Sequence, residues 1–292
     1  MSRTARALRG LRRALRYALL IWLAVTVGAV LALRWLPPPT SSFILQNRIA
    51  ALRAGYGFYA YPQQWVDYER IAPVMALAVV AAEDQRFREH HGLDLSGIRQ
   101  AIRDNQYRNR PRGASTITQQ TAKNLFLWRS QTLLRKGVEL YFTGLLELLW
   151  PKQRILEVYL NIAQFGGSVF GVEAAARTYF DKPAAALTRH EAALLAAALP
   201  SPSLLHVDAP SDYLRQRQRC LIDQERLRVG LDNRFGRLEH RFDRVGHIVG
   251  LVDHVRGVEA VALAALRLHQ FVEHQEKLMR IDRPAVEVII AI

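Results

Sequence analysis

The sequence predicts a mainly α-helical protein in which one transmembrane helix precedes a helical domain. Three observations carry this expectation. An apolar run, Tyr17 to Leu33, directly follows an arginine-rich N-terminus. From Ile71 to Pro200 the apolar residues recur mainly at helical spacing. Thr116 and Gln119 stand three apart, where a capping box would open a helix.

The N-terminal element comes first. Arg3, Arg6, Arg9, Arg12, Arg13 and Arg16 precede the apolar run, and Arg34, Trp35 and Leu36 follow it. Seventeen apolar residues, extended by a snorkelling arginine and an interfacial tryptophan, suffice to cross a bilayer. An uncleaved anchor is expected rather than a signal peptide: no small-x-small site stands out before the prolines, and the run is long for a signal core. Arginines beside a first span stay in the cytoplasm, which puts everything after Pro37 outside. The expected divisions are a basic cytoplasmic N-terminus (1–16), a span (17–36), a membrane-proximal linker (37–64), a helical domain (65–210) and an extension without assigned role (211–292).

Pro37-Pro38-Pro39 with Thr40-Ser41-Ser42 reads as a stiff polar spacer. The following segment, with Tyr56, Phe58, Tyr59, Tyr61 and Trp65, suits packing on a core or lying at a membrane surface. Met75 to Ala82 reads as a buried helix. Leu133 to Leu149 and Arg154 to Ala163 have helical periodicity, and Glu191 to Leu199 stops at Pro200. After about Gln224 the chain runs to Arg283 without proline and carries five of its nine histidines, with no single hydrophobic period. A helical extension, a disordered basic tail and an altered reading frame in the gene all remain open for it.

Formal net charge is +14, and only five of the 40 basic residues are lysine. Such a balance suits nucleic acid, anionic lipid or a phosphate-bearing substrate. Nucleic acid is not expected, because there is no zinc spacing, RNP-type motif or basic block with heptads. The single cysteine, Cys220, excludes an intramolecular disulfide and a multi-cysteine metal site.

The densest chemical signal is the stretch Glu83-Asp84-Gln85-Arg86-Phe87-Arg88-Glu89-His90-His91-Gly92. On a helix, Glu83, Phe87 and His90 would share one face. A carboxylate beside an aromatic wall and an imidazole suits base chemistry. A charged helix end stopped by glycine accounts for the same residues. Next comes Gly113-Ala114-Ser115-Thr116-Ile117-Thr118-Gln119-Gln120-Thr121-Ala122-Lys123-Asn124. A helix opening at Thr116 would offer free N–H groups to a phosphate, and Gln120, Lys123 and Asn124 would form one polar face. An ordinary capped helix with a solvated lysine is the plainer reading. Arg135 and Glu139 are i, i+4 and could form an exposed ion pair worth about 0.3–0.5 kcal/mol. Leu125-Phe126-Leu127-Trp128 fits either an interfacial patch or a buried helix end.

These segments, followed by Ile155-Leu156-Glu157-Val158-Tyr159-Leu160-Asn161, resemble in order the peptidoglycan glycosyltransferase family over roughly residues 65–202. Its pattern is EDxxFxxHxG, GxSTITQQxxKN, RKxxE and ILExYLN. The resemblance implies a lysozyme-like fold and polymerisation of lipid II into β-1,4-linked strands with release of polyprenyl diphosphate. It implies Glu83 as catalytic base and Glu139 as a second essential acid. Arg86, Thr116, Gln120, Lys123, Asn124, Arg135 and Lys136 would bind substrate, with Asp84, Phe87 and His90 supporting the base. Glu157 and Asn161 would shape the cleft. The implied partners are lipid II, the lipid-linked strand, the membrane and other proteins of wall synthesis or division. No cofactor is required, and a divalent cation such as Mg²⁺ is admitted. Where the family often has Glu-Trp before Gly166, this chain has Gln164-Phe165, which weakens any ligand role there.

Two rivals stand beside this reading. A glycan-cleaving enzyme of lysozyme type would use one glutamate but would not need Lys123, Arg135 and Lys136. A catalytically silent membrane-anchored scaffold would not need both acids. A fused transpeptidase is excluded within this chain, since no serine has lysine three residues later and Lys-Thr-Gly is absent.

Overall fold

The computed structural model describes residues 3–56, 64–106 and 113–224. Phe58, Tyr59, Tyr61 and the tail after residue 224 lie outside the described residues. In chain order the helices are α1 (Arg3–Leu33), α2 (Ser42–Arg53), α3 (Pro73–Glu83), α4 (Leu95–Asn105), α5 (Ile117–Phe126), α6 (Leu133–Leu149), α7 (Lys152–Ile162), α8 (Val172–Phe180) and α9 (Arg189–Ala198). Residues 212–224 are helical too. No β-strand is found among the described residues, only a single bridge between Gln164 and Phe170. The protein is mainly helical, as its periodicity predicts.

Helix α1 begins well before Tyr17, because arginines are good helix formers and carry the helix back from the apolar run. Its stretch Gly10–Leu33 is long and apolar enough to cross a membrane. Its C-terminal half makes contacts with the rest of the described residues. The Trp22 ring lies 4.8 Å from that of Tyr141, and Thr26 Oγ1 hydrogen-bonds Tyr141 Oη at 2.7 Å. Trp150 Nε1 donates to the Val30 carbonyl at 2.8 Å. Arg154 donates to the carbonyls of Leu33 and Leu36 at 2.9 and 2.6 Å. A helix leaves its last carbonyls without intrahelical donors; here Trp150 meets that of Val30, turn amides meet those of Leu31 and Ala32, and Arg154 meets that of Leu33. Arg154 also pairs with Glu157 and lies over the Trp65 and Trp150 rings.

The membrane-proximal segment, in its described part, forms α2. Ser41 caps it through Ile44 N, and Gln46 fastens it to the Leu127 carbonyl and the Arg129 amide. Leu45, Ile49 and Leu52, spaced i, i+4 and i+7, stay exposed on its outer side.

The core is built of alanine-rich and aliphatic faces. Proline opens α3, where its missing N–H costs no bond. Met75, Ala78 and Val79 of α3 pack against α9, whose Ala192, Ala193, Ala196 and Ala197 are fully buried. Helix α5 lies between α6 and α7. Asn161, buried on α7, accepts from Val66 N and donates to Val66 O, both at 2.9 Å, which fixes the segment leading into the domain. Gly171 has φ +86°, and a Cβ there would sit 2.7 Å from the Asn161 carbonyl. Only glycine fits that approach. Leu214, Leu221 and Ile222 join the same core, so the folded unit runs past the boundary expected at 210.

The helix face conditionally offered for the first motif does not form. Helix α3 stops at Glu83, and residues 85–92 form turns and bends. Glu83, Phe87 and His90 therefore do not share a helix face. Asp84 breaks the helix at φ −156° and turns its carboxylate to His90 instead.

Candidate active site

The site lies where the C-terminal end of α3 meets the polar face of α5 and the N-terminal turns of α6. Two cavities adjoin there. One, of about 260 Å³, is lined by Glu83, Asp84, Arg86, Asp94 and Ser115 among others. The other, of about 180 Å³, is lined by Gln120, Lys123, Arg129, Arg135 and Glu139 with Phe43 and Trp128. Ser115 borders both.

The two acids sit in opposite electrostatic settings. Glu83 makes no ion pair among the described residues. Its carboxylate accepts one hydrogen bond, from Gln120 Nε2 at 2.7 Å. Burial raises its pKa above the usual carboxylate value, against the Gln120 bond and the charges of Arg217 and Lys123. Glu139 is also buried, but two cations hold it. Arg135 donates to its Oε2 at 2.5 Å, and Lys136 Nζ donates to its Oε1 at 2.8 Å. The i, i+4 pair is thus a buried triad and not the exposed pair its spacing allows. Among the described residues Arg135 Nε is buried without a hydrogen-bond partner, so the triad has spare donor capacity.

Lys123 stands between these settings. Its ammonium lies 5.8 Å from the Phe43 ring centroid and pairs with no carboxylate among the described residues. Burial lowers its pKa; Glu139 and Glu83 oppose that, while Arg135 and Lys136 add to it. A cation crowded by cations is an arrangement that an anion would relieve.

Asp84 is architectural. Its carboxylate takes His90 Nε2 at 2.8 and 3.0 Å and the Ile117 amide at 3.0 Å. It therefore ties the turn after α3 to the N-terminus of α5. Thr116 completes the predicted capping box with Gln119 and donates its hydroxyl to Gly92 O at 2.6 Å. The first-turn amides of Ile117, Gln119 and Gln120 are accordingly occupied. These three amides therefore have acceptors within the protein and Thr116 is buried, which weighs against a phosphate seated on them. Phe87 is a buried wall, edge-on to His90 at 6.4 Å and 4.5 Å beneath Lys152 Nζ.

Two further expectations change. Arg86 pairs with Glu89 at 2.7 Å and Asp94 at 3.4 Å and lines the cavity of Glu83, so it does not join the cations around Glu139. Asn124 lines neither cavity, while Gln120 and Lys123 of the same predicted face do. Gln164 donates only to the carbonyls of Gly166 and Gly167. Leu125 and Leu127 are buried, Phe126 stacks on Phe142 at 4.4 Å, and Trp128 is exposed, so that run divides between the two readings offered for it.

Three residues carry the site without having been singled out from sequence. Tyr159 donates to Gln120 Oε1 at 3.2 Å. Arg217 brings positive charge towards Glu83 from the C-terminal helical stretch. Glu147 accepts from Thr118 and Lys152 beneath the turn. Thr118 lies inside the second quoted motif, and nothing in that motif points to Glu147, 29 positions away. No three His, Cys, Asp or Glu side chains among the described residues group as a metal site. Glu139 is committed to two cations, and Asp84 to His90 and the Ile117 amide.

The family profile described as Transglycosylase matches residues 52–226. The chain is 51% identical over 208 residues to the biosynthetic peptidoglycan transglycosylase of Escherichia coli (strain SMS-3-5 / SECEC), covering 70% of this chain and 86% of that one. It is 50% identical over 212 residues to the protein of that name from Aeromonas hydrophila subsp. hydrophila, covering 73% and 87%. It is 48% identical over 217 residues to that from Pectobacterium carotovorum subsp. carotovorum (strain PC1), covering 74% and 89%. A profile match over more than half of the chain, joined to identities near one half across most of each relative, places the protein: it belongs to the transglycosylase family, among the biosynthetic peptidoglycan transglycosylases, glycosyltransferases of cell-wall synthesis.

Proposed function

We propose that the protein polymerises lipid II, with Glu83 as base and the Lys123–Arg135–Lys136 cluster receiving the diphosphate. The observation that carries this is the contrast between the acids: Glu83 is desolvated and unpaired by cations, while Glu139 is held by two. A general base needs an ionisable carboxylate near its working pH. An acid locked in a triad serves instead to aim its cations.

The acceptor sugar's 4-hydroxyl gives its proton to Glu83. Its oxygen forms a bond to the anomeric carbon of the donor strand as the bond from that carbon to the diphosphate oxygen breaks, with inversion. The leaving diphosphate carries the electron pair away as negative charge. Lys123 and the free Nε of Arg135 face that charge, and Glu139 keeps Arg135 and Lys136 in place. Gln120 fixes the Glu83 carboxylate. Glycan cleavage by a lysozyme-like route would need an acid for a poor leaving group and has no use for this cation cluster.

The same reading sets the topology. Residues 1–16 are cytoplasmic, 17–36 cross the inner membrane and 37–64 join the span to a periplasmic catalytic domain, with the tail beyond residue 224 unassigned. The six N-terminal arginines support that orientation. Incubation of the detergent-solubilised protein with labelled lipid II should give glycan strands on a gel. Products only of cleavage, or none from a folded protein, would overturn the reading.

A further inference from the structure

Gln120 stands between Glu83 and Tyr159, and its two ends are not interchangeable. Its Nε2 donates to Glu83 at 2.7 Å, and its Oε1 accepts from Tyr159 Oη at 3.2 Å. An amide nitrogen cannot accept, and an amide oxygen cannot donate. Tyr159 is 1% exposed, on α7, and no acceptor other than Gln120 is recorded for its hydroxyl among the described residues. If the amide turned over, the Tyr159 proton would be left buried without an acceptor. The nitrogen would leave Glu83, and the oxygen would meet it. That arrangement suits a protonated carboxyl and repels an ionised one.

We propose that Tyr159 is a positioning residue that acts on Glu83 through Gln120, by fixing which end of the amide meets the carboxylate. This rests on the reading of Glu83 as base. The consequence is chemical: the base is held in the form that accepts a proton. Burial of Tyr159, with Glu83 and Asp84 close by, pushes its phenol well above its ordinary value, so it remains a donor throughout the working range. The other charges facing Glu83 are Lys123 from α5, Arg217 from the helical stretch 212–224 and the adjacent Asp84. Asp84 is held by His90 and the Ile117 amide, and none of these groups contacts the Tyr159 hydroxyl directly.

The test is the pH dependence of turnover in Tyr159→Phe. Loss of one hydrogen bond's worth of bias should move the acidic limb up by about half to one pH unit, with the rate recovering on the alkaline plateau. In a Gln120→Leu background the same substitution should move the limb no further. Should Tyr159→Phe fail to fold, 3-fluorotyrosine at position 159 keeps the shape and strengthens the donor, and should move the limb down. A uniform loss of rate with an unmoved limb, or a shift that persists without Gln120, overturns the proposal and leaves Tyr159 a packing residue. Failure of the underlying reading is separate: it would show as Glu83→Gln retaining full turnover.

Discussion

Removing the charge of Glu83 should do two opposite things. As the base, its loss should lower turnover by about 10²–10⁴-fold at saturating substrate. As a buried carboxyl with a raised pKa, its loss should stabilise the fold at neutral pH. The sign follows from proton linkage. A carboxyl whose folded pKa exceeds its unfolded value favours folding fully below the unfolded pKa. That contribution is lost as pH rises through the folded pKa. Melting curves of wild type and Glu83→Gln should therefore separate towards neutral pH, the variant higher, and converge in acid. Lys123→Met should also lose turnover, since it removes a cation proposed to face the diphosphate. It leaves no carboxylate partner stranded, because Lys123 pairs with none among the described residues. Circular dichroism should show it folded; an inactive but unfolded variant would remove Lys123 from the site.

At the scale of elements, Asp84 joins α3 to α5. Asp84→Ala leaves a buried His90 nitrogen and the Ile117 amide without acceptors, and should cost about 1–3 kcal/mol in denaturant unfolding. Gly171→Ala should also destabilise, by more than about 1 kcal/mol, because φ is positive and the Asn161 carbonyl occupies the space. Urea melts check both. The helices were legible wherever periodicity and stops agreed. Leu133–Leu149 is found with the bounds its pattern predicts, and the Thr116–Gln119 capping box opens α5. The turn after Glu83 was not legible as such. Its spacing fits a helix face, and what ends the helix is a long-range bond from Asp84 to a residue 33 positions on. The buried state of Arg135, Lys136 and Glu139 was hidden for a similar reason. Charges at i, i+3 and i+4 read alike whether solvent or other helices cover them. Tyr159 lies inside a quoted motif, yet nothing local tells a core tyrosine from one bonded to Gln120. The proposed roles of the two glutamates came from the family resemblance, and the structure adds the contrast in their surroundings.

For the whole molecule, the apolar helix and its arginines set the expected orientation. A reporter active only in the periplasm, fused after Ile292, should work, and one that fluoresces only in the cytoplasm should stay dark. A bright cytoplasmic reporter on an intact fusion would contradict the topology, and with it the access of Glu83 to substrate. The span is more than a tether. Thr26, Val30, Leu33 and Leu36 are each bonded to α6, Trp150 or α7. A joint held at three levels along one helix and once more just past its end has no swivel. On the proposed topology the domain could change its heading over the membrane only if the whole span spun about its own axis, so the viscous drag of lipid on α1 would become the drag on the enzyme's steering. A strand anchored at its far end would then feel the bilayer as a brake on rotation, and the direction in which it is laid down would persist for as long as that spin is slow.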